Sequence, residues 1–172
     1  EASLTGHLVF STLHTNSAPE SITRLLDMGM DPFNFADAIL CILAQRLCRT
    51  LCPQCKEEYH PTRSEWDELR REYEDEKAWE KNIDVEYSDE LVLFRPKGCP
   101  ACHNTGYKGR MGLHELLMGT DEMKKLIQIK AKMEDIRIQA IKDGMTTLKQ
   151  DGIAKILAGK LDLLQVRKVC IR

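Results

Sequence analysis

No apolar run in this chain reaches the roughly 18 residues that cross a bilayer, and no basic-then-apolar leader opens it. The sequence therefore predicts no transmembrane segment and no secretory signal. Net charge is nearly absent. At −2 it supplies no global attraction to nucleic acid or acidic lipid. Aromatics are scarce at 6%, against 42% hydrophobic and 30% charged residues, the balance of a soluble globular chain. An even cysteine count is missing too. Seven unevenly spaced cysteines cannot all pair, which excludes a full disulfide framework and favours a reducing compartment, the cytoplasm. An initiator methionine is also lacking. Glu1-Ala2-Ser3-Leu4 runs straight into an apolar pattern, so the chain reads as a piece of a longer protein.

What is present is a pair of Cys-x-x-Cys turns, Cys52-Pro-Gln-Cys55 and Cys99-Pro-Ala-Cys102. Each turn presents two thiols at the bite of a tetrahedral metal. Four soft ligands leave no open position for substrate, which predicts a structural zinc site. His103 is a rival ligand only in sequence, because four thiols already satisfy zinc. Cys41, Cys48 and Cys170 lie on apolar stretches and are expected to fill cores as small hydrophobes.

Three segments follow. Residues 1–51 read as the tail of an α/β domain. His7-Leu8-Val9-Phe10-Ser11-Thr12-Leu13 has the composition of a buried strand. Ser17 and Glu20 form a capping box for a helix carrying Ile22, Leu25 and Leu26. Asp31-Pro32 starts a second helix, expected to continue through Ile39, Leu40 and Leu43.

Residues 52–110 form the metal module. Its inner cysteines are separated by 43 residues, against about 15–20 in a plain zinc ribbon. The insertion, residues 56–98, carries 8 Lys/Arg and 14 Asp/Glu, a net charge of −6. Trp66, Leu69 and Tyr73 make a narrow stripe on a helix capped at Thr62 or Ser64, otherwise solvated. Trp79 lies off that face and is expected at a partner surface. Removing residues 62–90 is expected to leave zinc content and the tail intact. Leu91-Val92-Leu93-Phe94 is a short strand. Residues 111–172 read as a helical tail with caps at Thr120, Thr146 or Thr147, and Asp162.

Thr5-Gly6-His7-Leu8-Val9-Phe10-Ser11-Thr12-Leu13-His14-Thr15-Asn16 resembles the histidine box of the type II secretion and type IV pilus assembly ATPases, the GspE/PilB family. Arg24-Leu25-Leu26-Asp27-Met28-Gly29, Gln45-Arg46-Leu47-Cys48-Arg49-Thr50-Leu51-Cys52 and Gly98–Arg110 continue the resemblance in order. It implies the carboxy-terminal part of a hexameric cytoplasmic ATPase at the inner membrane. The fold class expected is α+β and mostly helical. It comprises the tail of a RecA-like ATPase domain with the histidine box (1–51), the tetracysteine zinc module with its helical insertion (52–110), and a helical subdomain (111–172). Partners implied are neighbouring subunits of a homohexamer and inner-membrane platform proteins.

The resemblance makes His14 and His7 candidates for sensing nucleotide. Arg46 and Arg49 are candidate contacts to nucleotide or a neighbouring subunit, and equally ordinary surface cations. Lys108 and Arg110 invite a phosphate reading, with solvated turn residues as the alternative. ATP and Mg²⁺ belong to the parent only. The chain has no G-x-x-x-x-G-K-[ST], and without that cradle and its lysine triphosphate has no anchor. This stretch alone is expected not to hydrolyse ATP. Two other classes compete: a zinc-ribbon nucleic-acid binder, disfavoured by the acidic insertion, and a zinc adaptor resembling the J-domain co-chaperones, whose knuckles carry a glycine where Asn104 stands.

Overall fold

The computed structural model describes residues 2–170. In chain order the elements are α1 (Ala18–Asp27), α2 (Pro32–Ala38), β1 (Cys41–Leu51), β2 (Glu57–Tyr59), α3 (Arg63–Tyr73), α4 (Glu76–Asn82), β3 (Leu93–Arg95), β4 (Tyr107–Met118), α5 (Asp121–Gln128), α6 (Met133–Lys142), α7 (Leu148–Leu157) and α8 (Leu163–Val169). The fold is α+β, with the strands in two-stranded sheets, β1 with β4 and β2 with β3. The chain divides into two compact units, Glu1–Gln45 with His114–Thr146 and Arg46–Leu113 with Thr147–Arg172.

The first unit packs α1, α2, α5 and α6 around Ile22, Phe35, Leu117, Met123, Ile127 and Ile136. Its caps are those the sequence announces. Ser17 accepts from the Glu20 N–H, and Thr120 from the Met123 N–H. The box at α1 is modified, because Glu20 reaches the N–H of Asn16 at 2.9 Å instead of its cap residue. Buried Glu115 accepts from the Ala18 N–H at 2.8 Å, placing a carboxylate at the positive end of α1.

The second unit buries Trp66, Leu69, Tyr73, Trp79, Leu93, Leu113, Ile153, Ile156 and Val166 together. Thr62 and Glu65 close a capping box on α3, and Thr147 and Gln150 another on α7. β2 and β3 pair antiparallel, Glu57 opposite Arg95 and Tyr59 opposite Leu93. That ladder joins the ends of the long insertion.

Four expectations are corrected. Residues 7–13 form no strand, and Leu8 and Phe10 are 68% and 88% exposed. A strand needs a neighbouring edge for its backbone, and no described strand pairs with this run. Second, α2 stops at Ala38. Leu40 and Leu43 are exposed, and β1 follows. Gly119 donates to the Leu40 carbonyl at 2.8 Å, and the Thr50 hydroxyl to the Lys108 carbonyl at 2.6 Å, so β1 and β4 run in opposite directions. That pairing overrides a local pattern that also fits a helix. Third, residues 111–118 belong to β4 and not to a helical tail, with Leu113, Glu115 and Leu117 buried on one side. Fourth, Trp79 is only 5% exposed. The insertion breaks at Glu74, whose φ of 66° is left-handed, and restarts as α4, folding Trp79 back onto Trp66 and Tyr73 at 5.3 and 5.2 Å, edge to face. Trp66, Leu69, Tyr73 and Trp79 of the insertion are therefore core structure, and removing residues 62–90 is expected to disrupt the second unit.

Candidate metal centre

The β2–β3 ladder decides the geometry of the cysteines. By pairing Glu57 with Arg95 it returns the chain, however long the insertion, beside the point where it left. Glu57 reinforces this end of the ladder by ion pairs with Lys97 at 2.7 Å and Arg95 at 3.4 Å, and Lys97 chiefly holds its carboxyl below the usual range. The first knuckle turns immediately after β1, where the Cys55 and Lys56 N–H groups both donate to the Cys52 carbonyl. The second is a 3₁₀ turn, Pro100–Cys102, closed by His103 in the left-handed region. A 2.9 Å bond from the Cys52 N–H to the Gly106 carbonyl ties the two together.

The four Sγ atoms all lie within 4.8 Å of one another. Cys52 to Cys99 is 4.0 Å, and Cys55 to Cys102 and Cys99 to Cys102 are each 3.8 Å. Zinc–sulfur bonds of about 2.3 Å in a tetrahedron place sulfurs roughly 3.8 Å apart. A disulfide needs about 2.05 Å. The donor set thus fits one tetrahedral ion and no disulfide. His103 does not join it.

Backbone donors surround the sulfurs. The Gly98 N–H points at Cys55 Sγ (3.3 Å), and those of Cys99 and Gly106 at Cys102 Sγ (3.2 Å each). Such donors stabilise thiolates, the ligand form. Burial pushes the Cys55 thiol up to about 11. In Cys102 burial acts the same way. There the Cys99 and Gly106 N–H groups, with the Cys55 and Cys99 sulfurs, outweigh it and bring the thiol down to about 6. Gly106 has φ of 79°, and a Cβ there would sit 2.5 Å from Pro96 Cβ, so this donor position requires glycine.

Two contacts absent from the sequence reading anchor the module. Lys56 Nζ donates to the Gly159 carbonyl at 2.8 Å and stands 3.9 Å over the Phe94 ring. Leu51 N–H donates to the Lys160 carbonyl at 3.0 Å. No spacing rule links residues a hundred positions apart.

The other candidates are dispersed. His7 is exposed, its Nδ1 3.2 Å from both the Thr5 hydroxyl and the Ala2 carbonyl. His14 is exposed, and its carbonyl accepts from Arg24 at 2.7 Å. Arg49 lies 5.4 Å over the Tyr107 ring, and Arg46 is half-buried. Of the remaining cysteines, Cys48 is buried and its thiol is pushed up to about 11, by burial first and Cys170 second. Cys41 is exposed, contrary to a core role.

The family described as "Type II/IV secretion system protein" matches residues 1–168. The chain belongs to that family. Within it, the chain is 42% identical over 98% of its length to the type II secretion system ATPase E of Vibrio cholerae, covering 31% of that protein. It is 40% identical over 98% of its length to the type IV pilus assembly ATPase TfpB of Acinetobacter baylyi, covering 27%. Identity to the type IV pilus assembly ATPase PilB of Thermus thermophilus is 41% over 96% of the chain and 17% of that protein. This member of the type II/IV secretion family thus spans about a third or less of these relatives. No described helix is long and apolar enough to cross a membrane.

Proposed function

We propose that this chain is the carboxy-terminal part of a hexameric cytoplasmic ATPase, peripheral to the inner membrane, that powers type II secretion or type IV pilus assembly. The observation that carries this reading is 40–42% identity over nearly the whole chain to relatives named as ATPases of both systems. In this reading residues 1–51 are the remnant of the RecA-like core with the histidine box. Residues 52–110 are the metal module, and the helices that follow β4, from Asp121 onward, are the carboxy-terminal helical part. ATP and Mg²⁺ bind elsewhere in the whole protein, and this stretch alone is inactive. His14 and His7 respond to nucleotide, and Arg46 and Arg49 face nucleotide or a neighbouring subunit.

Zinc is the metal proposed for Cys52, Cys55, Cys99 and Cys102. When bound it supplies closure of four thiolates and no open position. The chain's own residues do the rest. The Gly98, Cys99 and Gly106 N–H groups orient the thiolates, and Lys56 fixes the first knuckle to the end of α7. The closed module presents the outer face of the insertion to a platform protein at the membrane.

The test is ATP turnover by the whole protein and by this stretch alone. The whole protein should hydrolyse ATP, and residues 1–172 should not exceed a buffer blank. A whole protein without turnover rejects the reading. His14→Ala should impair turnover or assembly while leaving the fold intact; wild-type hydrolysis together with wild-type assembly in cells rejects the role given to His14.

A further inference from the structure

The insertion carries a second feature, unrelated to the metal. A groove of about 540 Å³ opens between α3, α4 and residues 83–87, inside the size range of ligand clefts, about 300–1,000 Å³. Trp66 and Trp79 line it and are themselves almost wholly buried. Arg63 and Arg70 line it but are already engaged. Arg63 pairs with Asp67 at 3.2 Å and stands over Tyr87, and Arg70 pairs with Glu76 at 2.6 Å and stands over Trp79. Glu80, Asp84 and Glu86 also line it, and none of these three makes an ion pair among the described residues. The free charge of the groove is negative.

Its rim has the pattern of a strand without a partner. Ile83, Val85 and Tyr87 are half-buried against the core, while Asp84 and Glu86 are exposed between them. Ile83 leaves α4 in extended backbone, φ −113° and ψ 108°. Its N–H still caps α4, but the N–H and C=O groups of residues 84–87 make no hydrogen bond among the described residues. Unpaired backbone groups of an extended segment beside a groove are what strand addition uses. The main chain gives affinity, and alternate side chains give specificity.

We propose that residues 83–87 and the adjoining groove bind an extended basic peptide segment of a partner protein by strand addition. The peptide backbone pairs with residues 84–87. Its Lys or Arg side chains meet Glu80, Asp84 and Glu86. Charge complementarity selects this occupant: the insertion has net charge −6, and the groove's two arginines are internally neutralised. The inference rests on the reading that the insertion presents a partner surface, and it names the chemistry of that partner.

The experiment uses the whole protein. Probes are a fluorescein-labelled peptide of alternating Lys and Val, its Glu/Val counterpart, and a Lys/Val peptide N-methylated at every residue. The last keeps the charge but cannot pair. Saturable binding of the Lys/Val peptide is expected, with amide exchange slowed at residues 84–87. Affinity should fall about tenfold or more in Asp84→Lys/Glu86→Lys and for the N-methylated peptide. No saturable binding, equal binding of the Glu/Val or N-methylated peptide, or binding without slowed exchange at 84–87 overturns the proposal. A whole protein that hydrolyses ATP yet ignores the peptide removes the groove proposal alone. One that binds the peptide but never turns over ATP removes the ATPase reading alone.

Discussion

Lys56 Nζ donates to the carbonyl of Gly159 at 2.8 Å, joining the first metal knuckle to the end of α7. The bond meets the negative end of that helix, and the ammonium also lies over Phe94. Gly159 has φ of 70°, and a Cβ there would fall 2.7 Å from the Phe94 ring. Lys56→Met keeps the apolar stem and removes the charge. It should lower stability by about 2 kcal/mol in chemical denaturation, the range of a charged hydrogen bond. Gly159→Ala should destabilise as well, because the left-handed backbone and the ring both oppose it. Wild-type midpoints in both variants would show that the clamp contributes nothing.

Purified, freshly reduced protein should contain about one equivalent of zinc. Replacing any one of Cys52, Cys55, Cys99 or Cys102 by Ser should lower that content sharply and loosen the second unit. Cys48→Ala and Cys41→Ser should leave zinc unchanged, since neither sulfur lies in the four-thiol cluster. Near-zero zinc in wild-type protein would reject the site.

Glu72 predicts how acid weakens the second unit. The Arg167 guanidinium bonds it at 2.8 Å and Lys149 pairs with it at 3.1 Å, together holding its carboxyl below the usual range against the opposing effect of burial. A lowered folded value means the unfolded chain binds more protons in that window. The contribution is therefore full above the ordinary glutamate value of about 4.3 and lost as pH falls below it. Glu72→Gln should cost about 1 kcal/mol at pH 7 and little at about pH 3. An equal cost at both pH values would remove the ion pairs as its cause.

The caps and the cysteines were legible because each is a short-range device. Thr62, Thr120, Thr147 and Asp162 sit within three residues of the N–H they accept, and Cys-x-x-Cys carries its turn with it. The Trp66–Leu69–Tyr73 stripe was legible for the same reason. β1 and β4 were not, because Ile39, Leu40 and Leu43 fit a helix locally, and only pairing with a strand some sixty residues further along the chain ends that helix at Ala38 and places Leu43 in β1. At residues 7–13 the difference runs the other way: apolar composition predicts a strand where no described edge receives one. The burial of Trp79 is not legible from spacing along a single helix, because the left-handed turn at Glu74 makes two.

That turn leads to a prediction about the insertion itself. α3 joins the tail helices by Gln150 Nε2 donating to the Tyr73 carbonyl at 3.1 Å, and by Arg167 bonding Glu68 and Glu72. α4 has only seven residues, too few to be stable alone, so Trp79 holds it in place. Trp79→Ala removes the ring that stands edge-on to both Trp66 and Tyr73. The expected loss is about 3–5 kcal/mol, the range for emptying an aromatic core site. Zinc content should persist if folding does, because the β2–β3 ladder separates the ring from the sulfurs. Deleting residues 62–90 should do worse than the point change and leave the second unit without a cooperative transition, since Trp66, Leu69, Tyr73 and Trp79 all go. Denaturation followed by far-ultraviolet circular dichroism, with zinc measured on the same samples, tests both. A deletion that unfolds cooperatively at the wild-type midpoint would return the insertion to the status of a solvated appendage.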